Sequence, residues 1–494
     1  MDEVLKVVQA INAYLSDYVL LIALIGVGIF FTIRTKAVQV RCFGEGMKNV
    51  FGGMKLNGKK EKGGMSSFQA FATAVAAQVG TGNIVGACGA ILIGGPGAIF
   101  WMWVIAFFGM STIYAEAILA QKTRKVNEDG SISGGPVYYI KEAFKGKFGK
   151  FLAIFFAVAI ILALGLMGAM VQSNSISEAV TGAISSMSGG KFEVPGWVIG
   201  LIITVIAGVI FIGGVSRLAS VTEKIVPIMA LIYLVGGVIV LCCRITVIPE
   251  AFGMIFKYAF VPQAIIGGSV GSAIKQAVSQ GAKRGLFSNE AGMGSTPHAH
   301  ALANVKHPHK QGTTAMAGVF IDTFVVLTMT ALIVITTLYA GGGVLGTGVN
   351  PADVGLGKSN LVQSAIASLF GDASLGLKIG GVFVAICLLF FAFSTILSWN
   401  MFGKLNFQYL FGKKATIVYS ILGLGFVFLG SMLSNDLVWE LTDTFNFLMV
   451  IPNVIALVAL SNLVVKESKE AVARKKAKKA EAEAEVVEEN SVSE

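Results

Sequence analysis

The chain has 494 residues, of which 55% are hydrophobic and 13% charged, and its formal net charge at pH 7 is +10. A mean hydropathy of +0.76 excludes an ordinary soluble globular protein, and repeated long apolar runs predict an all-α polytopic membrane protein. The five cysteines show no CxxC spacing, which argues against a cysteine-based redox or metal framework.

Apolar runs long enough to cross a bilayer follow one another along the whole chain. They are centred near Ile25, Val79, Phe107, Ile160, Val205, Ile232, Val278, Leu327, Val384, Gly423 and Ala456. The N-terminal MDEVLKVVQA lacks a basic region followed by a cleavage site, so we expect the first run to remain as a span. These runs predict about 11 transmembrane helices.

The basic residues are distributed unequally between the segments that connect these runs. If the N-terminus is outside, the cytoplasmic segments hold 31 of the 38 Lys and Arg residues and the external segments hold 6. This asymmetry predicts a multi-pass protein of the cell membrane with a cytoplasmic C-terminus. The net positive charge is therefore a topology signal, and we expect no nucleic-acid partner.

Two of the apolar runs are interrupted by glycine and polar residues. The second contains "VGTGN", from Val79 to Asn83, and the seventh contains "SQGAKRGLFSNEAG", from Ser279 to Gly292. Because the two interruptions are offset by five spans, an odd number, the two five-span units cross the membrane in opposite directions, as in an inverted repeat. We therefore expect an N-terminal span and basic loop (1–66), two five-span repeats (67–250 and 251–465) and a charged tail (466–494).

The first interruption has the composition of a binding site. Non-helical backbone at membrane depth is tolerated only inside protein or along a wet cavity. Gly80, Thr81 and Gly82, bordered by Gln78 and Asn83, would present amide groups suited to a carboxylate and carbonyl groups suited to Na⁺. The alternative is that the glycines only allow close helix packing.

The two motifs "QVGTGNIVG" and "AVSQGAKRGLFSNEAGMGS" closely resemble the alanine/glycine:cation symporter family, from the second span to the eleventh. The resemblance implies the bacterial leucine-transporter architecture and uptake of small neutral amino acids coupled to Na⁺ or, in some members, H⁺. It implies that the backbone of Thr81 and Gly82 receives the substrate carboxylate.

The resemblance also implies cation ligands. The carbonyls of Ala76 and Val79 and the hydroxyls of Ser394 and Thr395 would form one Na⁺ site, unless the hydroxyls bond to their own helix. Asn83 matches a second sodium site, but Ala277 stands where a threonine hydroxyl is expected, so a full second ion is not expected. Asp322, alone in an apolar span, is a candidate cation or proton site, or a partner of Lys275 or another buried cation.

The remaining pocket residues are less constrained by the motifs. Met167, Met170 and Gln172 of the fourth span would form its wall, and Ser279 and Gly281 of the seventh would face the substrate. Other polar groups receive no transport role. Glu116 is expected at the interface or in packing, and the tail is expected to be a solvated helix or disordered. A solvated loop is expected for His298, His300, His307 and His309, unless the HxH pairs chelate a metal.

The predicted function is a secondary active transporter that moves a small neutral amino acid together with a cation, expected to be Na⁺, by alternating access. An H⁺-coupled carrier of the same architecture is the alternative. A channel would need a continuous pore, and a membrane enzyme would need a convergent set of acid, base or metal-binding groups. The sequence does not indicate an oligomeric state.

Overall fold

The computed structural model describes residues 2–54, 64–261, 270–433 and 436–492, and most of these residues are helical. The helices of the first half are α1 (Asp2–Tyr14), α2 (Leu21–Arg34), α3 (Val38–Arg41), α4 (Phe43–Phe51), α5 (Ser67–Gln78), α6 (Ala87–Gly94), α7 (Gly97–Thr123), α8 (Pro136–Ala143), α9 (Gly146–Ile160), α10 (Ala169–Ser188), α11 (Gly196–Ile212) and α12 (Gly214–Cys243). A short antiparallel pair, β1 (Lys125–Val126) and β2 (Ile132–Ser133), connects α7 to α8.

The second half is also built of helices. They are α13 (Ile248–Phe260), α14 (Val270–Asn289), α15 (Pro297–Leu302), α16 (Pro308–Val319), α17 (Thr328–Val334), α18 (Leu361–Ala367), α19 (Ala373–Phe411), α20 (Thr416–Gly430), α21 (Asp436–Ala459) and α22 (Ser461–Val492). Wider π-helical turns interrupt several spans, at Leu15–Leu20, Gly82–Gly86, Ile161–Gly168, Phe320–Leu327 and Ile335–Tyr339. Such turns are frequent at functional sites, and three of these carry predicted site residues, among them Asn83, Met167 and Asp322.

Eight helical stretches of the described residues are long and apolar enough to cross a bilayer: Glu3–Arg34, Gly97–Thr123, Gly146–Ser188, Gly214–Cys243, Pro308–Tyr339, Ala373–Phe411, Lys413–Gly430 and Asp436–Ala459. The pair Ser67–Gln78 and Gly82–Gly94, bent by 45°, makes a ninth if it is one span. The fifth predicted run corresponds to α11, with 17 residues, and the seventh to α14, which contains three basic residues. The total of 11 spans therefore remains a prediction.

The helices that carry the second and seventh spans lie in the interior of the bundle. Helix α5 begins with a capping box, in which Ser66 and Gln69 exchange hydrogen bonds, and it packs against α12 and α19. Helix α14 runs alongside α6 and α7. The predicted division at 250/251 falls inside α13 and the one at 465/466 inside α22, and the division itself remains a prediction.

The tail differs from the solvated segment that was expected. It is helical, as α22, but its first turns are buried against the bundle: Val464, Glu467 and Ser468 are at most 4% exposed. Glu467 forms ion pairs with Lys122 at 2.8 Å and with Arg474 at 2.7 Å. The prediction was wrong for this part because the charged composition concealed one buried face of the helix.

Candidate functional site

The second span is broken where its glycines lie, as predicted. Helix α5 ends at Gln78, and Val79 leaves the helical conformation with φ −82° and ψ 87°. The side chain of Asn83 then caps the break, because its Oδ1 accepts the Gly80 N–H at 3.0 Å while the Asn83 N–H donates to the Gly80 carbonyl at 3.2 Å. A polar side chain thus replaces hydrogen bonds that a continuous helix would make.

Oxygen atoms from two spans converge beside this break. The Thr395 hydroxyl lies 2.8 Å from the Ala76 carbonyl and 3.5 Å from the Val79 carbonyl, and 3.0 Å from the Phe391 carbonyl of its own helix. All four groups belong to buried residues. Such a set of hard oxygen atoms has the donor chemistry that suits Na⁺.

Ser394, the other predicted hydroxyl ligand, shares the Phe391 carbonyl with Thr395 but makes no hydrogen bond to Ala76 or Val79 within the described part of the chain. Its hydroxyl donates to the Phe391 carbonyl at 2.9 Å and contacts the Met229 sulfur at 3.5 Å. It therefore shows the alternative arrangement that the sequence left open, a hydroxyl bonded back onto its own helix.

Gln172 of α10 also reaches this break. Its Oε1 accepts the Thr81 N–H at 3.1 Å and the Thr81 hydroxyl at 2.5 Å. Its Nε2 is buried and has no hydrogen-bond partner among the described residues. An unsatisfied buried donor is costly, so Gln172 brings an unused hydrogen bond to the place where a carboxylate is expected.

The two glycines of the break lie against different neighbours. A Cβ atom at Gly80 would lie 2.5 Å from the Thr395 hydroxyl and 3.2 Å from Gln172 Oε1. A Cβ atom at Gly82 would lie 3.0 Å from the Phe287 ring and 3.3 Å from Ser288 Cα. Gly80 therefore lies beside the polar groups of the site. Gly82 instead lies close to α14, as expected if this glycine allows two helices to pack closely.

Asp322 is buried among hydrogen-bond donors. Asn83 Nδ2 donates to its carboxyl group at 2.6 Å, Ser288 Oγ at 2.9 Å and Thr323 Oγ1 at 2.8 Å. The suggested partner Lys275 lies 13 residues before Ser288 on α14, about 20 Å along the helix. A pairing of Asp322 with Lys275 is therefore wrong, and Asp322 instead connects the eighth span to both broken spans.

The break in the seventh span lies at the end of the predicted segment. Helix α14 continues to Asn289, and the chain then leaves the helix with positive φ at Glu290 (57°), Gly292 (89°) and Gly294 (81°). The break therefore occupies residues 290–296, before α15 begins at Pro297.

This later break corrects three assignments on α14. Gly281 packs against α7, where an added Cβ would lie 2.6 Å from the Trp101 Cβ, and Ala277 packs against Gly94 at the far end of α6. Ser279, half-buried, lies between them, about 10 Å or more along the helix from Ser288. The α14 hydroxyl that reaches Asp322 belongs to Ser288, which lies 11 residues, or about three helical turns, after Ala277 and therefore on nearly the same helix face.

Glu116 has a position that the sequence did not reveal. We expected it at an interface or in packing, but it is fully buried and accepts hydrogen bonds from the N–H groups of Gly292 at 3.1 Å and Gly294 at 2.9 Å. Asn453 Nδ2 donates to the same carboxyl group at 2.7 Å. The three donors tie the seventh-span break to α7 and α21. The only signal in the sequence was a carboxylate inside an apolar span.

Two other groups of predicted residues are dispersed. Met170 lines a small cavity with Asn174 and Trp439, and Met167 is half-buried in the π-helical turn before α10.

The HxH histidines do not share a site as pairs, and three of the four are buried. His298 contacts the Ser295 carbonyl and Asn406, His300 contacts Gln311, and His309 contacts Tyr114, while His307 is exposed.

Comparisons with known proteins show the family of the chain. The sequence profile of the Sodium:alanine symporter family matches residues 1–485. The chain is 38% identical to the sodium/alanine symporter AgcS of Methanococcus maripaludis over 94% of this chain and 96% of that protein. It is 38% identical to the amino-acid carrier protein AlsT of Bacillus subtilis over 93% and 91%, and 37% identical to the probable sodium/glutamine symporter GlnT of the same organism over 97% and 93%.

A solved structure shows the fold. The crystal structure of MhsT in complex with L-phenylalanine superimposes with a TM-score of 0.60 at 15% identity, covering 83% of this chain and 93% of that one. The expected leucine-transporter-like architecture, with its broken second and seventh spans, is confirmed, as is a multi-pass membrane protein that is a transporter and not an enzyme. The chain belongs to the sodium:alanine symporter family, and it is a cation-coupled amino-acid transporter.

Proposed function

We propose that this transporter takes up a small neutral amino acid such as alanine or glycine by alternating access, with Na⁺ bound beside the break in α5. One observation carries the proposal: the hydroxyl of Thr395 lies 2.8 Å from the Ala76 carbonyl at the point where the helix opens. The names of AgcS and GlnT include alanine and glutamine, which supports a small neutral substrate.

The Na⁺ ligands in this proposal are the carbonyls of Ala76 and Val79 and the hydroxyl of Thr395, with the Phe391 carbonyl as a further donor. In the structure the Thr395 O–H donates to these carbonyls, so a bound cation would take the place of the hydroxyl proton between them. Ser394 is left out because its hydroxyl faces Met229.

The substrate site lies one turn further along the chain. The carboxylate of the amino acid would accept the N–H and O–H of Thr81, displacing Gln172 Oε1, and the Gln172 amide would then donate through its Nε2. Gly80 provides the space between these groups, and Gln78, which donates to the Asn289 carbonyl at 2.7 Å, joins the two broken spans beneath them. Alaninamide, which lacks the negative charge, should compete with alanine far more weakly.

Asp322 is the proposed second cation site, with Asn83, Ser288 and Thr323 around it. The Asp322→Asn variant should lower the apparent affinity for Na⁺ by about tenfold, because a neutral amide attracts a cation less strongly than a carboxylate, about 1.4 kcal/mol. If the variant keeps its Na⁺ affinity but loses the pH dependence of uptake, Asp322 carries a proton and the alternative H⁺-coupled mechanism applies there.

The orientation follows from the basic residues: we propose an external N-terminus and a cytoplasmic C-terminus. Uptake of labelled alanine into proteoliposomes, with Na⁺ and pH gradients imposed separately, tests the whole proposal. An inward Na⁺ gradient should drive accumulation, and preloaded alanine should accelerate counter-flow. Accumulation driven by a pH gradient in the absence of Na⁺ would contradict Na⁺ coupling, and non-saturable flux without counter-flow would indicate a channel.

A further inference from the structure

Three side chains with metal-binding chemistry meet away from the transport site. They are Cys42, between α3 and α4, Glu45 in the first turn of α4, and His309 in the first turn of α16. One ligand atom from each lies within 4.8 Å of the others, and His309 Nε2 is 3.3 Å from Glu45 Oε1. Tetrahedral zinc, with bonds of about 2.0–2.3 Å, separates neighbouring ligand atoms by roughly 3.3–3.7 Å, so small side-chain rotations complete the geometry.

The imidazole of His309 is held in the orientation that a metal ligand needs. The Tyr114 hydroxyl lies 2.7 Å from Nδ1, and Tyr114 is fully buried, so Nε2 is directed at Glu45. A hydrogen-bonded second nitrogen of this kind is the usual support of a ligating histidine. Cys42 and His309 are each 7% exposed, and Glu45 is half-buried.

The cluster opens onto a cavity of about 460 Å³, whose wall includes Glu45 and His309. The cavity gives an ion a route to Glu45 and His309, and its open space would leave a fourth coordination position to water. His307 lies on the same wall but is exposed, and it is not needed to complete the set.

We propose that Cys42, Glu45 and His309 form a binding site for a divalent ion of the zinc class, which clamps α4 to the start of α16. A thiolate, an imidazole and a carboxylate together favour zinc over Na⁺, Mg²⁺ or Ca²⁺. The two helices already touch closely, because Asn49 Nδ2 donates to Thr313 Oγ1 at 3.0 Å and Gly46 packs on the Thr313 carbonyl. The ion therefore adds a bond between segments that are separated by more than 250 residues.

Basic side chains around the cavity repel a divalent cation, so removing one of them should strengthen zinc binding and tests the proposed site. Lys48, Lys310, Arg474 and Lys475 line the cavity, and Lys475 Nζ lies 3.8 Å from Glu45 Oε2. Lys475 is 76% exposed, so it can move away when an ion binds. Replacing it with alanine should strengthen zinc binding by about threefold, as expected for one solvent-screened charge.

The experiment is calorimetric titration of the full-length protein in detergent with ZnCl₂, followed by absorption spectra with CoCl₂ in its place. We expect one zinc ion per chain, a rise in thermal stability on binding, and the near-ultraviolet thiolate-to-cobalt band. Cys42→Ser should remove that band, and Cys42→Ser and His309→Ala should each weaken zinc binding by at least about a hundredfold.

Two matched variants separate this site from other thiols and imidazoles. Cys243→Ser removes an exposed cysteine elsewhere, and His307→Ala removes the other histidine of the pair; both should bind zinc like the unmodified protein. Zinc binding that is absent from the unmodified protein, or that survives in Cys42→Ser with an unchanged cobalt band, would overturn the proposal. So would a loss in His307→Ala equal to that in His309→Ala. If His309→Ala does not fold, the Cys42→Ser and Lys475→Ala results decide.

Discussion

The breaks in the second and seventh spans are supported in different ways. At the first, backbone groups face side chains that could exchange partners with a ligand: Thr395 bonds to the Ala76 carbonyl, and Gln172 to Thr81. At the second, the backbone is held by the buried carboxyl group of Glu116, which accepts two N–H groups at 3.1 and 2.9 Å.

The two interruptions look alike in the sequence, but this difference indicates that they have different roles. A break whose amides are already bonded to a protein carboxylate has little capacity left for a substrate carboxylate. At the second-span break, carbonyl groups surround the Thr395 hydroxyl, and an incoming cation can bind to these oxygen atoms. The Gln172 Nε2 group has no partner among the residues that the structure describes, and it can donate to an incoming anion. We therefore interpret the second-span break as the ligand site and the seventh-span break as a structural joint.

The largest effect should come from filling the space at Gly80. The Gly80→Ala variant would place a Cβ atom 2.5 Å from the Thr395 hydroxyl. Overpacking of this kind costs about 1–3 kcal/mol, so alanine binding should weaken by up to about a hundredfold while the protein still folds. Alanine binding and thermal stability of the same purified variant provide the measurement.

Gly86 offers a matched control in the same span. An added Cβ there would meet its nearest neighbours at 3.9 Å, an ordinary contact. Gly86→Ala should therefore bind alanine like the unmodified protein. If Gly80→Ala also binds normally, the site does not lie where we place it; if it is unstable but its folded fraction binds, Gly80 serves packing alone.

A smaller effect, on stability more than on ligand affinity, should follow Glu116→Gln. The glutamine can accept with only one oxygen, and its NH₂ group would oppose the second N–H, so the free energy of unfolding should fall by about 2 kcal/mol. Thermal unfolding in detergent measures this loss. Glu142→Gln, which changes an exposed glutamate paired with Lys145, should have almost no effect. A stable Glu116→Gln variant that has lost alanine binding would reverse our interpretation of the two breaks.

Much of the fold could be predicted because hydrophobic runs and glycine interruptions are local features. Val79 to Asn83 indicated the first break correctly, since glycines beside polar residues are unfavourable in a continuous span. In the seventh span, glycines beside polar residues predicted a break anywhere from Ser279 to Gly292, but the helix continues to Asn289. Gly281 and Gly285 pack against α7 inside an intact helix, whereas Gly292 and Gly294 adopt positive φ. Composition alone does not distinguish a packing glycine from a conformational one.

The contacts between distant segments could not be derived from local patterns. The buried role of Glu116 depends on Gly292, Gly294 and Asn453, which lie more than 170 residues away in the chain. The choice between Ser394 and Thr395 depends on the rotation of α19 against α5, since adjacent residues on a helix point about 100° apart. Only the packed structure shows that Thr395 faces the break.

The proposed transport mechanism depends most on Na⁺ binding between Thr395 and the opened end of α5. The most direct measurement compares the apparent affinity for Na⁺ of alanine uptake in Thr395→Ala and Ser394→Ala proteoliposomes. Removing the Thr395 hydroxyl should weaken Na⁺ binding by at least about tenfold, or 1.4 kcal/mol, whereas the Ser394 variant should change it by less than about threefold. Equal Na⁺ affinity in the Thr395 variant and the unmodified protein, or a larger loss in the Ser394 variant, would contradict it.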